Sequence, residues 1–272
     1  MEIRTVPQNK GMEIKKAKWK KGDVFLRGAF LPVLVVVLWQ TLSSLGLLPE
    51  QLFSSPLLIA ASFIELIQSG EMAKHLQISL TRAALGFVLG GTLGLLVGVI
   101  VGMNKKSEEY LNPSIQMLRT VPLLVITPLF IMWFGFGELS KVLLIALGAF
   151  FPLYLQTFLG MRNVDKKLYD VALIFEYSRM EKVMKLMIPA ALPNILLGIR
   201  LALSAAWMCL VVAELLGADR GVGFMIQDAR SFMQTDIVFV GIIIFAVAGK
   251  LSDSIVRFFE EHLLKWQDSF KA

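Results

Sequence analysis

Charged side chains inside long apolar stretches are the residues of this chain best placed to do chemistry. Arg200 lies about ten residues into one such stretch, and Lys250 lies about ten residues from the end of another. Asp253 follows Lys250 by three positions, which is about one helical turn. A charge within a membrane is costly, so it is expected to face the protein interior and to pair. The pattern predicts either an Arg200–Asp253 ion pair or contact between these cations and a passing anion.

A second acidic residue, Glu214, lies near the far end of the same apolar stretch as Arg200. Arg220 and Arg230 follow it in the sequence, and we expect one of them to pair with it. A carboxylate is a poor direct ligand for an anion. Glu214 is therefore interpreted as a gate or a structural acid beside a transport path.

Prolines and aromatic residues lie close together in the middle of the chain. Pro122, Pro128 and Pro152 fall within apolar stretches, where a proline frees a backbone carbonyl and kinks a helix. Such breaks can line a transport path, although proline is also common in ordinary membrane helices. If they do line a path, Trp133 and Phe134 form part of its aromatic wall.

The sequence contains no recognisable catalytic or metal-binding motif. His75 and His262 are its only histidines, and we expect them on opposite sides of a membrane, so no metal site is predicted. The chain contains no Gly-x-x-x-x-Gly-Lys-[Ser/Thr] phosphate loop, so we expect no ATP hydrolysis by this chain alone. A membrane-embedded enzyme is therefore disfavoured.

The composition is that of an integral membrane protein. The 272 residues are 56% hydrophobic with a mean hydropathy of +0.68, more apolar than a soluble domain can bury. The predicted fold is all-α, with a cytoplasmic tail over 1–26, a membrane domain over 27–260 and a second tail over 261–272. Six spans of about 20 residues are predicted, with a surface helix at 56–69 on the outer side. The spans are 27–47, 78–102, 115–134, 139–160, 190–216 and 237–259.

Glycines recur at every fourth position of the second predicted span. Residues four apart share one helical face, and a face without side chains lets another backbone approach closely. Packing within the chain is the first explanation, and a seam between two copies is the alternative. The glycines are Gly86, Gly90, Gly94, Gly98 and Gly102.

Lysine and arginine positions predict the orientation. If both termini are inside, 20 of the 27 basic residues lie on the inner side, five lie on the outer side, and Arg200 and Lys250 fall within spans. This bias follows the positive-inside rule. The same rule explains the net charge of +6 without nucleic acid, because the basic residues adjoin apolar spans.

A charged segment over 161–189 separates two of the predicted spans. Within it, apolar residues recur at i, i+3, i+4, i+7 and i+8, which predicts one apolar helical face. A polar loop needs such a face only if it docks on something, so the loop is interpreted as a handle held by a partner. The apolar residues are Met180, Val183, Met184, Met187 and Ile188.

The same loop resembles the cytoplasmic loop of permeases from binding-protein-dependent ABC importers. Asp170, Val171 and Ala172 stand where that family has Glu-Ala-Ala, and Glu176 replaces its glycine. Leu186, Ile188 and Pro189 occupy its closing positions. The resemblance extends over roughly 75–266 and is greatest to the branch that imports sulfonates, taurine and nitrate, aliphatic-sulfonate permeases above all. The further segments that carry it are 120–122, 128–135, 137–141, 213–214, 221–223 and 234–236.

The resemblance implies a type I ABC-importer permease fold in a bacterial cytoplasmic membrane. It implies two ATPase subunits that bind ATP and Mg²⁺, an external substrate-binding protein, and no cofactor in this chain itself. The 161–189 loop would dock on the ATPase. Six helices provide little wall for a path, so a homodimer is expected. The transported solute is expected to be a small organic anion, first an alkanesulfonate, with taurine and nitrate as the other candidates.

An ion-gradient-driven secondary transporter is the alternative from another class. It predicts inverted repeats and a mid-membrane carboxylate or broken-helix site. No convincing repeat is visible, and the acidic residues lie near the ends of spans. Co-purification with an ATPase would support the importer, whereas transport by the lone chain would support the alternative.

Overall fold

The computed structural model describes residues 21–264, with side chains from residue 30 onward except those of 166, 169, 171 and 179. Every regular element in this part of the chain is helical, and one six-residue stretch is a π-helix. The predicted tails mostly fall on 1–20 and 265–272, outside the described residues. The helices are α1 (Lys21–Ser44), α2 (Pro56–Gln68), α3 (Glu71–Met103), α4 (Lys105–Arg119), α5 (Leu123–Phe134), α6 (Glu138–Arg162), α7 (Lys166–Ile174), α8 (Arg179–Glu181), the π-helix (Lys182–Met187), α9 (Ile188–Gly217), α10 (Val222–Ser231) and α11 (Thr235–Leu263).

Four helical stretches within 21–264 are long and apolar enough to cross a membrane. They are α3, α6, the π-helix continued by α9, and α11, and they coincide with four of the six predicted spans. A fifth is possible only if α4 and α5 count together, because they meet at a bend of 96°. The apolar part of α1 that is described, Phe30–Ser44, is shorter than a span. Four or five of the six predicted spans are therefore found among the described residues, and the remaining one, 27–47, begins outside the described side chains.

The span predicted over 115–134 is interrupted next to Pro122, one of the prolines expected to break it. Helix α4 ends at Arg119, and α5 begins only at Leu123. Pro122 lies between them; it has no N–H to donate, and its ring disfavours helical backbone at Val121. The sequence therefore breaks the helix where hydropathy alone indicated one apolar segment.

The glycine stripe packs α3 against α6, which confirms packing within the chain. All five glycines are buried. A Cβ added at Gly90 would lie 1.9 Å from the carbonyl oxygen of Ala146, and one added at Gly94 would lie 2.6 Å from that of Phe150. The two backbones are in direct contact, which only glycine permits at these positions.

The largest core lies between α3, α6 and α9. Gly148 of α6 receives the Cys209 side chain of α9, and Gly160 lies against Ala191. Small residues bring these two helices together, and apolar side chains fill the remaining space. By contrast, α1, α5 and α11 leave many large apolar side chains exposed, as lipid or partner contacts require.

The predicted helix at 56–69 is present as α2. Ser55 Oγ accepts the Leu58 N–H at 3.2 Å, and Pro56 occupies the first turn, where its missing N–H costs nothing. Two further bonds connect α2 and the loop before it to the start of α11. Ser62 donates to Asp236 Oδ2 at 2.5 Å, and the Ser54 and Thr235 hydroxyls lie 2.6 Å apart.

Candidate coupling loop and membrane path

Helix α7 of the 161–189 loop ends in a Schellman motif. The Tyr177 N–H donates to the Ala172 carbonyl at 3.0 Å, and the Glu176 N–H donates to the Leu173 carbonyl at 3.0 Å. These are the two bonds that define the motif. Glu176 occupies its left-handed position with φ of +53°. Glycine is favoured there, so the position at which the permeases that this loop resembles have glycine is a helix terminus in this fold.

A capping box follows directly. The Glu181 carboxylate accepts the Ser178 N–H at 3.0 Å, and Ser178 Oγ accepts the Glu181 N–H at 3.3 Å. Lys185 donates to the same carboxylate at 2.8 Å. The hydrogen bond from Lys185 and the bonds to Ser178 lower the pKa of Glu181 to about 2. The end of α7 and the start of α8 are therefore both capped by hydrogen bonds within the loop.

The π-helix joins this loop to α9 without a break. Val183 and Met187 are buried in the core between α6 and α9, whereas Met180 and Met184 are mostly exposed. The prediction that these residues form one apolar face for a partner is wrong, because the wider turn of a π-helix divides them between the core and the surface. Leu186 and Ile188 are partly buried against the core, and Pro189 lies exposed in the first turn of α9.

Three consecutive exposed apolar residues of the loop lie at the end of α7. Leu173, Ile174 and Phe175 are 62%, 79% and 67% exposed, and we call these three residues the loop tip. Ala172 was expected to face the partner, but it is only 1% exposed. Its carbonyl accepts the longer-range of the two Schellman bonds, so Ala172 belongs to the helix terminus itself. Asp170 is exposed, and the Val171 side chain is outside the described residues.

Glu214 lies at the centre of a buried polar network near the opposite end of α9. Its carboxylate accepts from Arg82 Nη1 at 2.9 Å, from Ser79 Oγ at 2.8 Å and from the Gly223 N–H at 2.8 Å. The expected pairing with Arg220 or Arg230 is wrong. Only the backbone carbonyl of Arg220 takes part, accepting from Arg82 at 2.6 Å.

The same network extends to α6 and to the turn before α10. Arg82 also pairs with Glu138, at 2.5 Å between Nη2 and Oε1. The Gly221 N–H donates to His75 Nδ1 at 3.0 Å, and the Val222 N–H donates to Ser79 Oγ at 2.9 Å. Sequence reasoning missed Arg82 and Ser79, because Arg82 was counted among the five basic residues on the outer side and no local spacing relates either residue to Glu214.

Arg200 and Asp253 form the expected ion pair between α9 and α11. Arg257 and Lys250 approach the same carboxylate, at 3.4 Å and 3.9 Å from Asp253 Oδ2. Three cations thus surround one acid, and the Lys250 side chain is 71% exposed. The cluster keeps an excess of positive charge.

The residues predicted to line a path do not form one site. Trp133 and Phe134 lie with Phe130 on an apolar cavity of about 400 Å³ between α3, α5 and α6. Arg200 and Lys250 meet around Asp253, while Glu214 belongs to the buried network. Within 21–264, no three His, Cys, Asp or Glu side chains come together as a metal site would require.

Comparison with known proteins identifies the family. Residues 90–265 match the model of the binding-protein-dependent transport system inner membrane component. The Bacillus subtilis (strain 168) protein named as an aliphatic sulfonates transport permease, SsuC, is 53% identical over 98% of this chain and 97% of its own. Its Escherichia coli (strain K12) namesake is 43% identical over 89% and 92%.

Solved structures show the same fold. The crystal structure of an amino acid ABC transporter matches with a TM-score of 0.60 at 18% identity, over 74% of this chain and 98% of that one. The matches fall on importers, and none favours a secondary transporter. The relatives are named as transport permeases, which are non-catalytic membrane subunits. This multi-pass membrane chain therefore belongs to the family of inner membrane components of binding-protein-dependent transport systems, and it is the permease subunit of an ABC importer.

Proposed function

We propose that this permease carries a small organic anion inward, an alkanesulfonate before taurine or nitrate. The observation that carries the proposal is the 53% identity, across nearly both full lengths, to a relative named for aliphatic sulfonates. The excess positive charge around Asp253 agrees with it, because a positive field lowers the barrier for an anion without a tight site. Lys250→Gln should therefore slow anion uptake several-fold while leaving the affinity of the binding protein unchanged.

The 161–189 loop is the proposed docking element for an ATPase subunit that binds ATP and Mg²⁺. The loop tip supports this assignment, because three neighbouring apolar side chains are exposed at the end of a capped helix. The segment that carries these side chains is rich in charged residues, so lipid does not account for their exposure. Asp170, Ala172 and Glu176 then shape the docking helix, and Leu186, Ile188 and Pro189 join it to α9.

Transport requires that the ATP-bound ATPases favour one conformation of the permease over the other, the outward-open over the inward-open. Closure of two ATPases on ATP would draw two loops together and turn the spans outward-open, and hydrolysis would reset them. The continuous connection from the loop through the π-helix into α9 supports transmission of such a movement. A second copy of this chain completes the path in the proposed homodimer.

The proposed orientation places both termini and the loop in the cytoplasm of a bacterium, and the Glu214 network toward the external binding protein. The distribution of lysine and arginine supports it. Single cysteines at Lys167 and at Arg220, in a Cys209→Ala background, should react with impermeant reagents from opposite sides. Equal labelling from outside would overturn this orientation.

Reconstitution tests the function. The permease, purified with its ATPase and binding protein, should import butanesulfonate into liposomes only when ATP is enclosed with the ATPase. Import of a neutral or cationic solute with no response to sulfonates, taurine or nitrate would overturn the substrate assignment. ATP-independent uptake by the lone permease would overturn the coupling.

Ile174→Glu tests the docking element in the same preparation. The variant should lose the ATPase during purification, because a charge would be buried without a partner. Tyr110→Glu on α4 is the matched control, since Tyr110 and Ile174 are equally exposed at 79%. Retention of a fully coupled ATPase by Ile174→Glu would contradict the proposal.

A further inference from the structure

A second cavity, of about 420 Å³, lies where the break between α4 and α5 meets α6 and α9. This volume is within the range of ligand pockets, roughly 300–1,000 Å³. Its polar side chains are Arg119, Gln156 and Ser204, one each from α4, α6 and α9. Most of the remaining wall is apolar, including Phe151, Leu201 and Met208.

The polar groups on this wall are largely free to bind a ligand. Among residues 21–264, Arg119 has no carboxylate within ion-pair distance, and the Gln156 side-chain amide has no hydrogen-bond partner. Ser204 donates to the Arg200 carbonyl at 3.1 Å, which leaves its oxygen able to accept. No aspartate or glutamate is among the residues that line the cavity in this part of the chain. The wall thus combines one cation and spare N–H donors with an apolar surface.

We propose that this cavity is the site in the permease where an alkanesulfonate pauses during passage and where its tail is selected; the inference rests on the proposed function. The sulfonate oxygens accept hydrogen bonds from the Arg119 guanidinium and the Gln156 amide, and the alkyl tail lies on the wall around Leu201 and Met208. Arginine suits such an oxyanion because its planar fork donates several N–H groups at once.

The same arrangement discriminates between sulfonates. Taurine has an ammonium at the far end of its tail, and within this apolar wall that charge finds no carboxylate. Burying an unpaired charge is costly, so taurine binds less well than an alkyl tail of similar length. Nitrate has no tail and gains nothing from the wall. Arg119 remains exposed to water, so the contact is weak enough for release, as passage requires.

Thiol labelling in the assembled importer tests the site. Ser204→Cys in a Cys209→Ala background presents a thiol to the cavity, and two methanethiosulfonate reagents of similar size differ only in bearing an ethylsulfonate or an ethyltrimethylammonium group. When each rate is divided by that reagent's rate with a free thiol in solution, the sulfonate reagent should react about tenfold faster, as attraction by a cationic site allows. Butanesulfonate should protect the thiol at concentrations at which taurine does not.

Arg119→Gln should abolish the preference between the reagents and slow butanesulfonate uptake several-fold, with the affinity of the binding protein unchanged. Lys106→Gln is the matched control, because Lys106 is an exposed cation on the same helix outside the cavity. If the parent complex imports butanesulfonate but the two reagents react equally relative to their rates with a free thiol, and Arg119→Gln transports normally, the cavity site is wrong and the proposed function stands. If the parent complex imports no sulfonate, the proposed function itself is wrong.

Discussion

Arg82 and Glu214 form an ion pair that is almost wholly enclosed by protein. Arg82 Nη1 lies 2.9 Å from Glu214 Oε1, and the two side chains are 3% and 0% exposed. Because Arg82 also pairs with Glu138, one guanidinium connects α3, α6 and α9. The glycine stripe sets how closely α3 and α6 approach, and this pair sets their register against α9.

Removing one member of this pair should be strongly destabilising. The Glu214 carboxylate accepts from a guanidinium, a hydroxyl and a backbone N–H. In Glu214→Gln the amide N–H₂ replaces one of the two oxygens, so one donor would face another donor. We expect Glu214→Gln and Arg82→Gln each to lower the free energy of unfolding by about 3–5 kcal/mol. Thermal unfolding in detergent measures the change. Arg220→Gln is the control and should change stability little, since only its backbone carbonyl participates. An equal loss from Arg220→Gln would contradict this account.

Gly90 and Gly91 provide a second test, with its control at the adjacent position. Gly90→Ala would place a methyl group 1.9 Å from the Ala146 carbonyl oxygen, so the helices must separate. We expect a loss of about 3 kcal/mol, the upper part of the range for overpacked cores. A Cβ at Gly91 meets nothing nearer than 3.5 Å, so Gly91→Ala should be neutral or slightly stabilising. Equal thermal stability of the two variants would show that close packing is not the reason for the stripe.

Glu176→Gly should stabilise the coupling loop by about 1 kcal/mol. A non-glycine residue in the left-handed region costs roughly 1–2 kcal/mol, and the added freedom of glycine in the unfolded chain cancels part of the gain. Slower amide hydrogen exchange at Tyr177 would report the effect. Glu176→Ala keeps the Cβ and should gain nothing. If alanine stabilised as much as glycine, loss of charge would be the cause.

The capping box predicts a pH dependence of the loop. The pKa of Glu181 falls from its usual 4.5 to about 2, so its carboxylate is retained far below the pH at which an unfolded glutamate takes up a proton. Its contribution to loop stability is fully present above the usual pKa and is lost as the pH falls through about 2. Carboxyl-carbon NMR, assigned with Glu181→Gln, would follow the titration. Titration near 4.5 would mean that the box does not form in solution.

The sequence predicted those features that depend on one helix at a time. Apolar length located four spans, and four-residue spacing located the glycine stripe. Arg200 and Asp253 could be paired because few charges lie deep in apolar stretches, which leaves little choice of partner.

Features that depend on how helices meet could not be predicted in this way. Glu214 had nearby arginines in sequence, but its partner comes from α3, 132 positions away, and only the packing of α3 on α6 brings it close. Pro122 indicated a break before Leu123, but the bend of 96° between α4 and α5 depends on how the two helices pack and could not be predicted. Ala172 stands in a motif associated with docking, yet its side chain is buried within this chain.

The π-helix over Lys182–Met187 has a consequence for partner choice. Its hydrogen bonds span one more residue than those of an α-helix, so it holds an additional residue between the loop and α9. Each residue of an α-helix turns the chain by about 100°. Deleting one residue here would let the stretch become α-helical and would leave the Leu173–Phe175 surface facing nearly its present direction. In the proposed complex, a permease one residue shorter at this point would therefore still present its docking surface to the same ATPase. A one-residue gap between two such permeases is then a change of helix type rather than a change of docking orientation.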